Sequence, residues 1–336
     1  MKRQSDKYSL GRRTAGTWLI VLAVVALPAY RGIAQETTLK KASYMPHWVP
    51  QAQFAGYYVA FEKGFYADNG IELQILRGGP EQPSSVWLEE KKADFATLFL
   101  STAIEKRAQG VPLVNIAQMV QRSALLLVAK KDSGIKSPAD FDGKTVTLWP
   151  EFSLQPKALF RKFGVKPRIL PQRNTMNLFL RGGASVASAM WYNEYHLLLN
   201  TGLNEDELTF FHYDDYGLSF PEDGIYVLEE TYRNDPELCK GFVHATVKGW
   251  QYAFEHPEEA LDIVMSYVKA ASMPTTRIHH QWMLGVMKQI MLPEGDRTRM
   301  GHLSETAYTN VTHELKSAGI VATPPEYGVF YEDCAP

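Results

Sequence analysis

Two cysteines in 336 residues, Cys239 and Cys334, are too few for a disulfide scaffold or a four-cysteine metal site. In an oxidising compartment the two could pair and close the C-terminal tail onto the preceding helix; their spacing leaves that open. An excess of one charge is missing as well. Thirty-five basic against 37 acidic residues give a net charge of −2, which argues against a nucleic-acid partner and leaves no like-charge tail. With 24 Gly and 19 Pro the chain is neither fibrous nor disordered. It has no internal repeat, low-complexity tract or linker. Gly78-Gly79 and Gly182-Gly183 lack phosphate-loop spacing and read as turns. His279 and His280 are neighbours on a helix and diverge, which makes a poor metal pair. Neither metal nor cofactor is therefore expected. What is present is a 45% hydrophobic, 12% aromatic chain, long enough for two lobes.

The N-terminus stands apart. Lys2, Arg3, Lys7, Arg12 and Arg13 precede an apolar run from Trp18 to Leu27 and the small-residue sequence Gly32-Ile33-Ala34. This pattern predicts a secretory signal over residues 1–34, cleaved after Ala34. A run stretched to Tyr30 would instead be an uncleaved anchor. Removing its six bases and one acid leaves 29 bases and 36 acids, a net charge of −7. No later apolar run is long enough to span a bilayer, so the exported form is expected to be an acidic extracytoplasmic protein.

Short strands then alternate with amphipathic helices. Strands are expected at Leu39–Tyr44, Ile71–Ile75 and Phe95–Leu98, with helices at Phe54–Glu62, Ser84–Lys91 and Ser101–Gln109. Apolar runs follow at Val114–Met119 and Ala124–Ala129. A second unit repeats the rhythm with strands at Lys144–Leu148, Arg168–Leu170, Ser188–Trp191, Phe210–Tyr213 and Tyr226–Leu228. From Pro236 onward the pattern is helical. Helix-length crossovers between strands predict an α/β fold, each lobe a small, mostly parallel sheet flanked by helices.

The segment Trp48-Val49-Pro50-Gln51, Gly56-Tyr57-Tyr58-Val59-Ala60, Gly64-Phe65-Tyr66 and Gly70-Ile71 resembles the start of the NMT1/THI5-like and sulfonate-type solute-binding proteins. The likeness continues in Ala93-Asp94-Phe95-Ala96, Gly110-Val111-Pro112-Leu113, Gly134-Ile135 with Pro138 and Phe141, Trp191-Tyr192-Asn193-Glu194, and Asp235-Pro236-Glu237. It covers nearly all of residues 39–270. The resemblance implies the two-lobed type II periplasmic binding-protein fold, with the ligand in the cleft. Residues 35–128 and 226–336 would form lobe 1 and residues 129–225 lobe 2. It also implies a monomeric receptor that hands a small molecule to the permease and ATPase of an ABC importer.

Candidate ligand residues lie on the loops that such a fold brings to the cleft. Trp48 follows the first strand inside a Pro-bounded loop, where the family stacks an aromatic on a heterocycle; a core plug is the bland alternative. Ser101 and Thr102 open a helix and could hold an anion or carbonyl, or serve as a plain cap. Trp149 and Phe152 flank Glu151 after a lobe 2 strand. Trp191 precedes Glu194, whose carboxylate would accept from the amino edge of a pyrimidine or simply complement a helix start. Tyr216 is a rim candidate, with Asp214 beside it.

The same family contains the thiamine pyrimidine synthase, which consumes pyridoxal phosphate and one of its own histidines. Aligning its active segment on Ala93-Asp94 and Gly110 puts Leu98 at the Schiff-base lysine and Thr102 at the donor histidine. Neither side chain can do that chemistry. No Cys occurs in Tyr216–Gly224, and Trp149-Pro150-Glu151-Phe152-Ser153 replaces the synthase's glycine-rich phosphate loop. A non-enzymatic receptor is therefore expected. Its ligand would be a thiamine pyrimidine precursor of the hydroxymethylpyrimidine or formylaminopyrimidine type. Riboflavin is an alternative, and a sulfonate or other small anion is disfavoured because no candidate residue is basic.

Overall fold

The computed structural model describes residues 39–173 and 175–336, so the signal expected over residues 1–34 lies outside the described residues. The first run comprises β1 (Lys40–Met45), α1 (Ala55–Glu62), α2 (Phe65–Asp68), β2 (Ile71–Ile75), α3 (Ser84–Glu89), β3 (Phe95–Phe99), α4 (Leu100–Ala108) and β4 (Leu113–Gln118). The second comprises β5 (Leu125–Lys130), β6 (Thr145–Leu148), α5 (Leu154–Phe163), β7 (Arg168–Pro171), α6 (Asn177–Leu180), β8 (Val186–Met190), α7 (Glu194–Asn200) and β9 (Leu208–His212). The chain returns through β10 (Asp223–Leu228) and ends in helices α8 (Glu229–Asn234), α9 (Pro236–Glu255), α10 (Pro257–Ala270), α11 (Arg277–Met291), α12 (Glu305–Ser317) and α13 (Tyr327–Phe330).

The strands form two five-stranded sheets, ordered β2-β1-β3-β10-β4 and β7-β6-β8-β5-β9. In each sheet four strands run one way and one runs against them: β10 in the first, β5 in the second. Those two are the strands that follow the crossings between sheets. The sheets are therefore mixed, and each lobe lends the other one reversed strand.

The lobe boundary expected at residues 128/129 falls earlier. All of β5 pairs within the second sheet, so the outward crossing occupies residues 119–124. Leu125, Leu127 and Ala129 join the main core, whereas Leu126 and Val128 join a second core under α6 and α7. Likewise β10 begins at Asp223, opposite Phe99, ahead of the expected return at residue 226.

Much of the aromatic content is core. Tyr44 stacks on Tyr57 at 4.4 Å and Phe95 on Phe242 at 4.0 Å, beneath α1 and α9. Those two helices approach until backbone touches backbone. A Cβ on Gly249 would lie 2.1 Å from the Gly56 carbonyl oxygen, and one on Gly56 would lie 2.2 Å from Trp250 Cγ. Asp235 starts α9 by accepting the Leu238 N–H at 3.0 Å, with Pro236 in the first turn. Cys239 and Cys334 are both buried free thiols, pushed up to about 12 by burial. Among the described residues no helix is long and apolar enough to cross a membrane.

Candidate ligand-binding site

Loops that leave the carboxyl ends of β1, β3, β6 and β8 converge on one cavity of about 300 Å³, closed on its remaining side by residues 273–275 and the start of α11. Open α/β sheets place ligands at this edge. Its walls are aromatic: Trp48 from the loop after β1, Phe99 from β3, Trp149 and Phe152 from the turn after β6, and Tyr192 after β8. Phe99 and Phe152 meet across the cleft at 4.5 Å, so the two lobes touch at the cavity. Arg161 of α5 and Glu314 of α12 make a second bridge between lobes, at 2.7 Å.

Polar groups occupy two ends of this aromatic box. At one end Gln51 Nε2 donates to Gln53 Oε1 at 2.5 Å, and Gln53 Nε2 donates to Asp223 Oδ2 at 2.8 Å. His47 stands beside them, its Nε2 at 3.8 Å from Asp223 Oδ1 and its backbone N–H on Thr97 Oγ1 at 3.1 Å. Burial drives both ionisable groups toward neutrality, lowering His47 to about 3 and raising Asp223 to about 7. The other Asp223 oxygen, Oδ1, has no hydrogen-bond partner.

At the other end stands Glu194. Its Oε2 accepts the Met190 N–H at 3.0 Å and its Oε1 accepts from Asn193 Nδ2 at 2.8 Å. Burial raises the carboxyl to about 7 despite those bonds. His279 and His280 of α11 face it from lobe 1. Burial, then the neighbouring imidazole, lowers each to about 4, so both are neutral. The Nδ1 of His280 accepts the Ala52 N–H at 3.2 Å, which puts its proton on Nε2; that buried nitrogen has no partner. Among the described residues no lysine or arginine borders the cavity.

Of the nine residues expected at the ligand, Trp48, Trp149, Phe152 and Glu194 border the cavity and five do not. Ser101 and Thr102 lie in the first turn of α4, whose leading N–H, from Leu100, is taken by the Glu222 carbonyl at 3.1 Å. That helix start is engaged with the chain crossing, not with the cleft. Glu151 points to solvent from the turn that presents its neighbours. Trp191 packs edge-on against His212 behind the wall. Tyr216 packs edge-on against Phe163, its carbonyl taken by Lys162 Nζ at 2.6 Å. Asp214 is engaged by Arg122.

His47, Gln51 and Gln53 were passed over although they share the loop of Trp48. Tyr192 and Asn193 likewise stand inside the quoted Trp191–Glu194 stretch. In the sequence His279-His280 reads only as a poor metal pair, and no local signal brings α11 to the cavity, because that approach is set by long-range packing. Leu98, which replaces the synthase lysine, is buried in β3, and neither it nor Thr102 borders the cavity.

The chain has relatives of two kinds. It is 25% identical over 304 residues to the riboflavin-binding protein RibY of Chloroflexus aurantiacus, covering 86% of this chain and 84% of that one. To the formylaminopyrimidine-binding protein of Halalkalibacterium halodurans it is 24% identical over 269 residues, 77% of this chain and 80% of the other. To a 4-amino-5-hydroxymethyl-2-methylpyrimidine phosphate synthase of Legionella pneumophila it is 26% identical over 249 residues, 69% and 75% of the two chains. The fold matches that of the alkanesulfonate-binding protein SsuA from Xanthomonas axonopodis pv. citri, with a TM-score of 0.65 at 11% identity over 87% of this chain and 98% of that one. The family model described as NMT1/THI5 like matches residues 51–260, more than half of the sequence, and the chain belongs to that family.

Proposed function

We propose that the protein is the extracytoplasmic solute-binding receptor of an ABC importer, and that it captures a thiamine pyrimidine precursor or a similar flat, amine-bearing heterocycle. One observation carries this reading. The cavity has aromatic walls and a carboxylate at one end, with no cationic side chain around it among the described residues. Aromatic faces hold a flat ring, and Glu194 accepts from ring amino groups. A sulfonate or nitrate would meet Glu194, with no Arg or Lys among the described lining residues to offset it. About 300 Å³ lies at the small end of ligand sites, which favours one substituted ring over a three-ring flavin with its tail. The similarity to a formylaminopyrimidine-binding protein supports the same choice.

The synthase reading is the alternative, since a synthase is among the relatives. It needs an amine for the Schiff base, and no lysine among the described residues borders the cavity. Thermal shift against hydroxymethylpyrimidine, formylaminopyrimidine, thiamine, riboflavin, taurine and nitrate tests the ligand, because selective binding to the folded state raises the midpoint. The expected result is a rise with the two pyrimidines. A rise with taurine or nitrate alone overturns the ligand class. An internal aldimine absorbance on adding pyridoxal phosphate, or pyrimidine product, overturns the receptor.

A further inference from the structure

Beside the cavity, α11 of lobe 1 meets α7 of lobe 2 through His279 and Trp282. His279 Nε2 lies 2.8 Å from Asn193 Oδ1, and its Nδ1 lies 2.9 Å from His196 Nδ1. One turn further along α11, Trp282 stacks on Tyr195 and His196 at centroid distances of 5.4 and 5.2 Å, and its indole N–H donates to the Trp191 carbonyl at 2.9 Å. His279 and Trp282 thus hold a face of α7 whose first residue is Glu194.

Donor and acceptor accounting fixes the direction of this contact. Asn193 spends its amide nitrogen on Glu194 Oε1, so the oxygen facing His279 can only accept. His279 Nε2 therefore carries the proton. In the neutral ring Nδ1 is then bare and must accept, which requires His196 to carry its own proton on Nδ1. With its proton on Nδ1, His196 cannot accept from Asn200 Nδ2, which lies 3.2 Å away, so that amide has to turn its oxygen toward the ring. Donors run one way: His196 to His279, His279 to Asn193, Asn193 to the carboxylate.

We propose that His279 is a positioning residue that couples closure of the lobes to the ligand carboxylate. Acting through Asn193, it holds Glu194 in place when the lobes are shut, and opening the cleft removes that hold. A ligand that engages Glu194 steadies the Asn193 conformer that His279 recognises, so capture and closure favour one another. The coupling rests on the reading of Glu194 as a ligand contact; the inter-lobe clasp stands without it.

The test places one spin label on each lobe of the full protein and compares wild type with His279→Ala and His279→Gln, whose amide N–H can still reach Asn193 Oδ1. In the ligand-free protein, His279→Ala should shift the label distances to longer values and His279→Gln should bring them back. Affinity for hydroxymethylpyrimidine should fall at least tenfold in His279→Ala and recover to within about threefold of wild type in His279→Gln, a rescue that a packing role alone would not give. ¹⁵N spectra should show His196 as the Nδ1–H tautomer and His279 as the Nε2–H tautomer. Unchanged distances in His279→Ala, no rescue by His279→Gln, or the reverse tautomers would each overturn the proposal. If wild type binds none of the heterocycles, the ligand assignment has failed, and the label distances and tautomers alone decide for or against the clasp.

Discussion

Glu222 Oε1 accepts the backbone N–H of Ala124 at 2.7 Å, so the return crossing of the chain grips the outward one. The same oxygen takes the Leu125 N–H at 3.0 Å and the Ser123 hydroxyl at 2.9 Å. The Asp223 carbonyl accepts from Met119 and Val120, and in the other direction the Val120 carbonyl accepts the Glu222 N–H at 3.2 Å. These crossings are the natural hinge of a two-lobed clamp, and side chain and backbone stitch them together. Asp223 then reaches from the hinge to Gln53 in the cavity wall, which puts hinge and site one residue apart.

Burial, then the nearby Asp223, raises Glu222 to about 8. A carboxyl raised in the folded state contributes stability that is full below its unfolded value of 4.5 and is lost as pH rises through 8. Glu194 and Asp223, each raised to about 7, act in the same sense. His47, His279 and His280, held neutral by burial, act in the opposite sense below pH 6.5, so the comparison is made above it: the ligand-free protein should melt at a lower temperature at pH 9 than at pH 7. Glu222→Gln keeps an acceptor oxygen and cannot ionise, so its Tm should fall less over that range. Glu222→Ala strands the buried Ala124 N–H and leaves the Leu125 N–H only Ser123 Oγ, which should cost on the order of 2 kcal/mol. Calorimetry of the three proteins at both pH values checks this; a Tm that rises toward pH 9 would contradict it.

The fold was legible because period and punctuation are local. Ile71–Ile75 has the expected bounds and the late helices start at Pro236 as expected, since alternation ended by Gly78-Gly79 and a Pro after an Asp cap leave little freedom. The crossings were less legible: Leu125–Lys130 is apolar on both faces, and nothing local says which sheet it joins. Half of the site escaped for the same reason. Trp48 and Glu194 follow strands, whereas His279 and His280 reach the cavity only because α10 and α11 fold back over the loop that starts α1.

Gly249 is the contact point of α1 and α9, and replacing it should harm folding without touching the site. An alanine Cβ there would lie 2.1 Å from the Gly56 carbonyl oxygen and 2.7 Å from the Ala60 Cβ. The helices must separate, and overpacking of this kind costs about 1–3 kcal/mol. Thermal denaturation of Gly249→Ala should show a Tm several degrees lower, with ligand affinity kept in the folded fraction. A Tm equal to wild type would mean the helices slide apart freely.

Trp48 borders the cavity from the loop after β1 and is partly buried, so its indole is free to stack on a ring. Stacking of a heterocyclic base on an aromatic side chain contributes about 1–3 kcal/mol. Trp48→Ala should therefore weaken pyrimidine binding roughly 10- to 100-fold by titration calorimetry. The Tm of the ligand-free protein should change little. Unaltered affinity would move the ligand away from this wall.

Glu194 ties ligand affinity to pH. Without ligand the carboxyl is raised to about 7, so at pH 6 most molecules carry a proton on the group that must accept the ligand's amino hydrogen. Binding to the ionised form then has to release that proton. Affinity should be nearly constant above pH 8 and fall toward tenfold per unit below pH 7, until the carboxyl of the complex itself takes a proton. Glu194→Gln removes the titration, so its affinity should be lower than wild type at pH 8 and flat with pH. Isothermal titrations from pH 5.5 to 9 with the pyrimidine that gives the largest thermal shift decide the point. Affinity that rises on acidification would show the carboxylic acid donating to the ligand, and would turn the recognised edge from an amine to a carbonyl or ring nitrogen.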